Sequence, residues 1–289
     1  MSAGAASRAD DEDEFPFTED DFRFIAGLVK EVTGIVLGDH KRAMVYGRLA
    51  RRLRALGLKS FAAYRELLQS KSGAGEIVGL TNAITTNLTK FFRESHHFDH
   101  LRDTALKEWK AEKAGAGKRR LRIWSAGCST GEEPYSIAMT VASTLGNLNA
   151  YDVRILATDL DTNVLDKAKR GIYSKESVEL VPAALRSKYC ETAESTGGRD
   201  VSMADGIRKP ITFNQLNLLG SWPMKGPFDV IFCRNVLIYF DGPTKSELIR
   251  RYKDMLKPGG WLYIGHSESV VRGFPGLSMG GRTTYRKVG

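Results

Sequence analysis

The chain has 289 residues, of which 42% are hydrophobic and 27% charged, an ordinary composition for a globular protein. Its formal net charge of +9 predicts an acidic partner, which could be nucleic acid, anionic lipid or an acidic protein. No apolar run approaches the ~18 residues of a membrane span, and the N-terminus does not resemble a signal peptide. The three cysteines lack disulfide or zinc spacing. We therefore expect a cytoplasmic monomer without membrane insertion or a metal centre.

The N-terminal part of the chain is predicted to be helical after a short acidic tail. Residues 1–14 are small and acidic and cannot build a core, so they are predicted to be disordered. Apolar residues then recur at helical spacing in four segments, the first beginning after Thr18, which is placed as its N-cap. The sequence therefore predicts a small all-α domain over residues 15–90.

The second predicted helix, residues 39–56, concentrates positive charge on one face. No acid lies between residues 40 and 65, so these cations lack a local counter-ion and repel each other at i,i+4 spacing. The alternatives are a solvated face and a docking surface for an acidic macromolecule. The absence of Phe, Tyr and Trp between residues 47 and 60 disfavours nucleic acid, because single-strand binders stack bases on aromatic rings. The cations are Lys41, Arg42, Arg48, Arg51, Arg52 and Arg54.

A polar segment, residues 85–94, follows the helical domain. Local sequence leaves two interpretations open: a helix boundary with Asn87 or Thr89 as N-cap, or a polar pocket lined by Asn87, Thr89 and Arg93. The adjacent pair His96-His97 has no cysteine at ligand spacing and is predicted to consist of surface or capping residues.

The stretch from residue 121 to residue 138 predicts a ligand-binding turn. Strand-like alternation over 121–124 leads into small residues, and a helix begins at Glu132-Glu133-Pro134 with proline in its first turn. A strand, a glycine turn and a helix N-terminus form a backbone cradle for a small ligand. The two glutamates would repel a pyrophosphate, and the glycine spacing is neither G-x-G-x-x-G nor a P-loop. A nucleoside ligand without phosphates is therefore favoured.

Polar residues at the ends of later predicted strands extend this site. Asp159 ends a second buried strand, 28 residues after Gly131, where a βαβ nucleotide-binding unit places the acid that holds ribose hydroxyls. The alternative role for Asp159 is N-cap of the next helix. Ligands lie outside the carboxyl ends of parallel strands, so the polar residues that follow the third and fourth strands should face the same crevice. They are Asn217, Arg234, Asn235 and Tyr239.

The alternation of strands and helices predicts a mostly parallel, doubly wound, Rossmann-like sheet in a domain over residues 91–289. Residues 171–210 interrupt this alternation with glycine, serine and polar clusters, which suggests an inserted small antiparallel β-subdomain. Residues 261–265 are predicted to form a fifth strand, and residues 283–287 an edge strand.

Six segments carry a resemblance to a known family: TNLTKFFRE, WSAGCSTGEEPYSIA, ATDLD, NLL, FDVIFCRNVLIYF and LKPGGWLYIGHSES. In this order and spacing the chain resembles the CheR family of chemotaxis receptor glutamate O-methyltransferases from about residue 15 to residue 288. The resemblance implies methyl transfer from S-adenosylmethionine to receptor glutamates, with S-adenosylhomocysteine as product. It also implies cofactor contacts at Asn87, Thr89, Arg93, Glu133, Asp159, Asn217, Leu218, Arg234 and Asn235.

The resemblance also indicates partners and catalytic roles. The basic helix would meet the methylation helices of a chemoreceptor through Arg48, Arg51, Arg52 and Arg54. The β-subdomain binds a C-terminal receptor tether in some members of the family. Because a glutamate is already ionised at pH 7, its methylation needs no general base. Arg93 is then placed to steer the incoming carboxylate, and Tyr239 to orient donor or acceptor.

Other classes of protein fit the sequence less well. A nicotinamide-dependent dehydrogenase would share the sheet and Asp159 but requires the glycine that this turn lacks. A nucleic-acid methyltransferase would need a pocket for a flipped base, and no aromatic clamp is evident. A signalling adaptor that binds nucleotide without catalysis would retain the same motifs.

Overall fold

The computed structural model of the protein describes residues 14–112, 118–268 and 273–289. These residues form two compact units, one of residues 14–32 with 36–84 and one of residues 33–35 with those from Thr85 onwards. The sequence placed the domain boundary after residue 90, whereas the break between the units follows Ile84.

The predicted disordered tail lies outside the described residues except for Glu14. That carboxylate is described and forms an ion pair with Arg54, with 2.9 Å between Oε2 and Nε. The predicted disorder therefore does not extend to Glu14.

The first unit is all-α, as predicted. Thr18 caps its first helix in a reciprocal arrangement: Asp21 N donates to Thr18 Oγ1 at 3.2 Å, and Thr18 N donates to Asp21 Oδ2 at 3.0 Å. The helices are α1 (Glu19–Thr33), α2 (Arg42–Leu56), α3 (Phe61–Gln69) and α4 (Ala74–Ile84), with single 3-10 turns at Asp39–Lys41 and Lys71–Gly73. Apolar side chains of all four helices build its core: Phe22, Ile25, Val45, Leu49, Leu53, Phe61 and Leu80.

Packing of the helices supplies part of the compensation that the cations of the basic helix lack in the local sequence. Arg52 donates to both carboxylate oxygens of Glu76 on α4, at 2.8 and 2.5 Å. Arg42 pairs with Glu19 of α1 at 3.2 Å, and Arg48 Nη1 donates to the Ile84 carbonyl at 2.6 Å. These acids and the carbonyl are distant in sequence and reach the arginines only because the helices pack together.

The second unit is built on a seven-stranded sheet of order β6-β2-β1-β7-β8-β10-β9. The first five strands run parallel and the last two antiparallel, which confirms the predicted mostly parallel sheet. Chain order reverses between β1 and β7, where an open sheet of this kind has its ligand crevice. The strands are β1 (Arg120–Ala126), β2 (Asp152–Asp159), β6 (Ile211–Gln215), β7 (Phe228–Cys233), β8 (Leu256–Ile264), β9 (Leu277–Gly281) and β10 (Thr284–Lys287).

The prediction of an edge strand at residues 283–287 is wrong in position. Strand β10 pairs with β8 on one side and with β9 on the other, so β9 forms the edge. The sequence of β9, LSMGG, alternates apolar and polar residues only over its first three positions and ends in two glycines, which is too short a pattern to predict a strand.

Helices cover both faces of this sheet, in agreement with the doubly wound prediction. One core cluster contains Leu121 and Ile123 of β1, and the other contains Trp124 and Ala126 of the same strand. The helices are α5 (His96–His100), α6 (Leu106–Ala111), α7 (Glu132–Leu145), α8 (Thr162–Arg170) and α12 (Gly242–Met255), and a π-helical turn, Leu101–Ala105, joins α5 to α6. Among the described residues, no helix combines the length and hydropathy needed to cross a bilayer.

The insertion after α8 forms a separate three-stranded antiparallel sheet of order β3-β5-β4, as the sequence suggested. Its strands are short: β3 (Ile172–Ser174), β4 (Cys190–Thr192) and β5 (Asp200–Met203). Three short helices accompany them: α9 (Lys175–Val178), α10 (Ala183–Tyr189) and α11 (Asp205–Arg208).

Candidate functional site

The glycine turn between β1 and α7 folds onto the end of β2. Backbone N–H groups of Gly127 and Cys128 both donate to the Thr158 carbonyl, at 2.8 and 2.9 Å. Gly127 has φ +82° and Gly131 φ +98°, and a Cβ at Gly127 would lie 2.3 Å from Val236 Cγ2. Both positions therefore require glycine, for backbone conformation and for the close approach of the β7 loop.

Asp159 lies at the carboxyl end of β2 and fixes this turn. Its Oδ2 accepts from Ser129 N at 2.7 Å and its Oδ1 from Asp161 N at 3.0 Å. Helix α8 is capped by Asp161, whose Oδ1 accepts from Asn163 N at 2.9 Å, so the alternative role of Asp159 as N-cap is wrong. Burial raises the pKa of Asp159, and the backbone N–H donors oppose that shift.

Glu133 is buried beneath the turn in a network with Arg234. Its Oε1 accepts from Ser125 Oγ at 2.7 Å and its Oε2 from Arg234 Nη1 at 3.1 Å. Burial raises the pKa of Glu133, and the charge of Arg234 works against this rise. Glu132, the neighbouring acid, accepts instead from Thr130 Oγ1 at 2.6 Å. The two glutamates at the helix start therefore point to different partners.

The polar segment 85–94 forms no helix, so the prediction of a cap at Asn87 or Thr89 is wrong. Asn87 Nδ2 donates to Asp161 Oδ2 at 2.8 Å, and the Asn87 carbonyl accepts from Ser129 Oγ at 3.1 Å. Thr89 lies half-buried in the same segment. The pocket interpretation gains support, because Asn87 is held against both the glycine turn and the start of α8.

Arg93, Asn235 and Tyr239 come together through hydrogen bonds to this segment. Arg93 Nη2 donates to Asn235 Oδ1 at 2.9 Å. Tyr239 Oη donates to the Thr86 carbonyl at 3.2 Å, and Arg234 Nη2 donates to the Arg93 carbonyl. These three hydrogen bonds attach the loop after β7 to segment 85–94, and Asn235 Nδ2 also donates to Glu94 Oε1 of that segment at 3.2 Å.

Asn217 and Leu218 lie on the loop after β6, the strand next to β2. Leu216 N donates to the Asp159 carbonyl at 2.9 Å, which places this loop beside the end of β2. Asn217 Oδ1 accepts from Leu219 N at 3.0 Å, and the Leu218 carbonyl accepts from Arg251 Nη1 at 2.7 Å. These two residues therefore flank Asp159 on the side away from β1.

Sequence reasoning missed Glu268, which positions the loop after β7. Its carboxylate is 2% exposed and accepts from Gly265 N at 2.6 Å, Asn235 N at 3.0 Å and Ile238 N at 3.1 Å. Burial raises the pKa of Glu268, and the backbone donors oppose the shift. Its position just beyond the carboxyl end of β8 could have identified it from the sequence. Polar residues that follow parallel strands are candidates for the ligand crevice, as was argued for Asp159.

The histidine pair adjoins this site, and the prediction of surface or capping residues is wrong for His97. That side chain is fully buried, with Nε2 2.9 Å from Thr283 Oγ1, and burial together with the charge of Arg234 lowers its pKa to about 2. Ligand atoms of Glu94, His96 and His97 lie within 4.8 Å of one another. Arg234 Nη2 stands 3.6 Å from Glu94 Oε2, so a cation already neutralises that acid and would repel a metal ion.

Comparison with known proteins identifies the family. Residues 87–279 match the family domain described as "CheR methyltransferase, SAM binding domain", and residues 20–85 match "CheR methyltransferase, all-alpha domain". The chain is 47% identical over 243 residues to a probable chemotaxis protein methyltransferase of Rhizobium etli, covering 84% of this chain and 90% of the relative. It is 45% identical over 268 residues to the chemotaxis protein methyltransferase of Escherichia coli, covering 91% and 89%.

The residues at the carboxyl edge of the sheet fit S-adenosylmethionine. A carboxylate at the end of β2 suits ribose hydroxyls, and buried acids suit a ligand that carries an ammonium and a sulfonium. Arg234 is buried and directs both terminal nitrogens to protein oxygens, so it is not arranged as a phosphate clamp. The matched domains together cover most of the chain. The chain belongs to the CheR methyltransferase family, and residues 87–279 are its S-adenosylmethionine-binding domain.

Proposed function

We propose that this protein methylates glutamate carboxylates of a chemotaxis receptor and forms glutamyl methyl esters. The relatives named above are chemotaxis methyltransferases, which supports a receptor as acceptor. The observation that carries the proposal is a link through segment 85–94: Asn87 is hydrogen-bonded to Ser129 of the turn that Asp159 holds, and the carbonyl of the next residue, Leu88, accepts from the Arg93 guanidinium, which also donates to Asn235. It connects a nucleoside-binding acid to an arginine able to receive a carboxylate.

The cofactor would be held by residues of the turn and of the loops beside it. Asp159 binds the ribose hydroxyls, and Glu133 uses lone pairs not taken by Ser125 and Arg234 for the ammonium group. The bound cofactor supplies a methyl group on a cationic sulfur. The full proposed set of cofactor contacts is Asn87, Thr89, Arg93, Glu133, Asp159, Asn217, Leu218, Arg234 and Asn235.

Arg93 and Tyr239 would act on the acceptor. Arg93 steers the glutamate carboxylate, and its guanidinium is already oriented by the Leu88 carbonyl at 2.8 Å and by Asn235 at 2.9 Å. Tyr239 orients the donor or the acceptor through its hydroxyl. An ionised glutamate needs no general base, so the residues contribute alignment and removal of water, which can supply ~7–11 kcal/mol in favourable cases.

The basic helix α2 would dock the receptor through fewer arginines than its sequence suggests. Arg52 and Arg48 are engaged within the helical unit, by Glu76 and by the Ile84 carbonyl. Arg51 is exposed and donates along its own helix to the Gly47 carbonyl at 3.2 Å, and Arg54 keeps half of its side chain exposed beside Glu14. We therefore assign docking chiefly to Arg51 and Arg54. The three-stranded subdomain remains the proposed site for a receptor tether.

Titration with S-adenosylhomocysteine tests the cofactor site. We expect binding to wild type, a loss of at least about tenfold in Asp159→Ala, and no change in Asp166→Ala, an exposed acid on α8. The acceptor is tested with a receptor cytoplasmic fragment and cofactor labelled on the methyl group. Label released by mild alkali identifies a carboxyl methyl ester, whereas alkali-stable label would contradict glutamate as acceptor.

A further inference from the structure

Arg93 lies between two residues whose backbone is in the left-handed region. Phe92 has φ +50° and Glu94 has φ +55°, and Asn235, which accepts a hydrogen bond from Arg93, has φ +59°. Residues other than glycine rarely adopt this conformation, and a bulky phenylalanine is strained in it. Such strain persists where surrounding contacts impose it, and strained residues cluster at functional sites. Tertiary contacts therefore impose the backbone conformation around Arg93.

Ser136 makes the contact that holds the Phe92 side of Arg93. Phe92 N donates to Ser136 Oγ at 3.0 Å, although the two residues are 44 positions apart in the sequence. The Ser136 hydroxyl donates to the Glu132 carbonyl, one turn earlier on α7, at 2.7 Å, so its lone pairs are left for the Phe92 N–H. Ser136 is fully buried, and its hydroxyl thus serves the protein and does not contact solvent.

The orientation of the Arg93 guanidinium depends on this backbone conformation. Its Nη1 donates to the Leu88 carbonyl at 2.8 Å and its Nη2 to Asn235 Oδ1 at 2.9 Å. A return of Phe92 to negative φ would turn the Cα–Cβ bond of the next residue and draw the guanidinium away from both acceptors. A misplacement of about 1 Å can reduce the rate of an enzyme about 100-fold. Whatever holds Phe92 therefore matters to a reaction that uses Arg93.

We infer that Ser136 is a positioning residue, which orients Arg93 toward the methyl acceptor by holding the strained backbone of Phe92. This inference rests on the proposed function. Ser136 lies on the helix that begins at Glu132, directly after the cofactor-binding turn. Helix α7 thereby fixes that turn at its N-terminus and the arginine for the acceptor one turn later. A single rigid element thus sets the position of the methyl donor relative to the acceptor.

A double-mutant cycle tests whether Ser136 acts through Arg93, with cofactor labelled on the methyl group so that slow variants can be measured. In Ser136→Ala we expect kcat/KM for a receptor fragment, at saturating cofactor, to fall about tenfold. In an Arg93→Lys background the same substitution should lower kcat/KM less than about twofold, because the guanidinium that Ser136 orients is no longer present.

Three further measurements separate positioning from folding. Ser136→Thr keeps the hydroxyl and should retain kcat/KM within about threefold of wild type. Ser143→Ala removes a hydroxyl of the same helix, one that donates to the Thr140 carbonyl at 3.0 Å, and as the matched control should change nothing. Alanine is smaller than serine and favours helix, so we expect Ser136→Ala to fold, which urea unfolding followed by tryptophan fluorescence checks.

Four outcomes would overturn the inference. An unchanged kcat/KM in Ser136→Ala, with a large loss in Arg93→Lys, would remove the role of Ser136 and leave the proposed function intact. Equal losses from Ser136→Ala in the wild-type and Arg93→Lys backgrounds would show that Ser136 acts independently of Arg93. Full activity of Arg93→Lys would remove the guanidinium from the proposed function. Failure of the wild type to methylate any receptor fragment, with S-adenosylhomocysteine binding intact, would overturn the proposed acceptor and this inference with it.

Discussion

The two compact units hold their charged groups in opposite ways. In the helical unit, Arg52 of α2 meets Glu76 of α4, and Tyr64 Oη donates to the same carboxylate at 2.7 Å. In the α/β unit, backbone N–H groups of loops hold the half-buried carboxylate of Asp159 and the buried carboxylate of Glu268. The first arrangement joins helices, whereas the second fixes loops at the carboxyl edge of the sheet.

The pKa values follow this difference. Burial tends to raise the pKa of Glu76, but hydrogen bonds from Arg52 and Tyr64 and the charge of Arg52 outweigh it, so the net shift is downward. Burial dominates at Asp159 and Glu268, whose pKa values are raised. The charge of Glu76 thus stabilises the fold of the helical unit. The charges of Asp159 and Glu268 are retained although their burial opposes folding, which is common for functional groups.

The largest loss of stability is expected when a carboxylate that accepts several backbone hydrogen bonds is removed. Glu268→Ala leaves three buried N–H groups without a partner and should lower the free energy of unfolding of the α/β unit by about 4 kcal/mol. All four tryptophans lie in this unit, so their fluorescence during urea unfolding reports it selectively. Glu247→Ala, an exposed acid on α12, should change that free energy by less than about 0.5 kcal/mol. Equal effects of the two substitutions would contradict the assigned role.

The second largest loss of stability is expected when the ion pair of the helical unit is broken. Arg52→Ala leaves Glu76 buried without its cation and should destabilise this unit by about 2–3 kcal/mol. Hydrogen exchange of α2 and α4 measures the change, because the helical unit contains no tryptophan. Arg51→Ala, one residue away and exposed, is the matched control and should cost less than about 0.5 kcal/mol. Faster exchange in both variants alike would place the stabilisation elsewhere on α2.

A smaller and pH-dependent effect tests the lowered pKa of Glu76. A carboxylate with a lowered pKa in the folded state stabilises the fold above its unfolded value of 4.5, and this contribution disappears as pH falls through the folded value. The stability difference between wild type and Glu76→Gln should therefore be constant at neutral pH and shrink below about pH 4.5. Hydrogen exchange of α4 over this range provides the measurement. A difference that grows on acidification would have the wrong sign for this ion pair.

The smallest effect is expected from the exposed arginine, and it concerns binding to the receptor and not folding. If α2 docks an acidic receptor, Arg51→Ala should raise the KM for a receptor fragment about two- to threefold at low salt. The difference should vanish near 0.5 M salt, because dissolved ions then screen charges that lie more than about 4 Å apart. Kinetics at two salt concentrations measure it. An effect that persists at high salt would indicate a contact that is not electrostatic.

Much of the α/β unit could be predicted from short-range patterns. The turn at residues 125–131, helix α7 from Glu132 to Leu145 and the position of Asp159 were predicted correctly, because each depends on neighbouring residues in the chain. Strand β9 was missed, since it is short, ends in two glycines and is held by pairing with β10. The sequence did not show which groups compensate the arginines of α2, because Glu76, the counter-ion of Arg52, is 24 residues away in the sequence.

The sequence by itself determined the family, through a resemblance carried by six segments, and it determined the parallel sheet, because glycine turns, strand periodicity and polar strand ends are local patterns. Tertiary structure alone decided which groups became partners: Glu268 with the loop after β7, Arg234 with Glu133, and Asn87 with Asp161. Each of these contacts joins residues from separate elements of the chain. Hydrogen bonds and ion pairs act over a few ångströms, so only packing of the elements brings such atoms within reach.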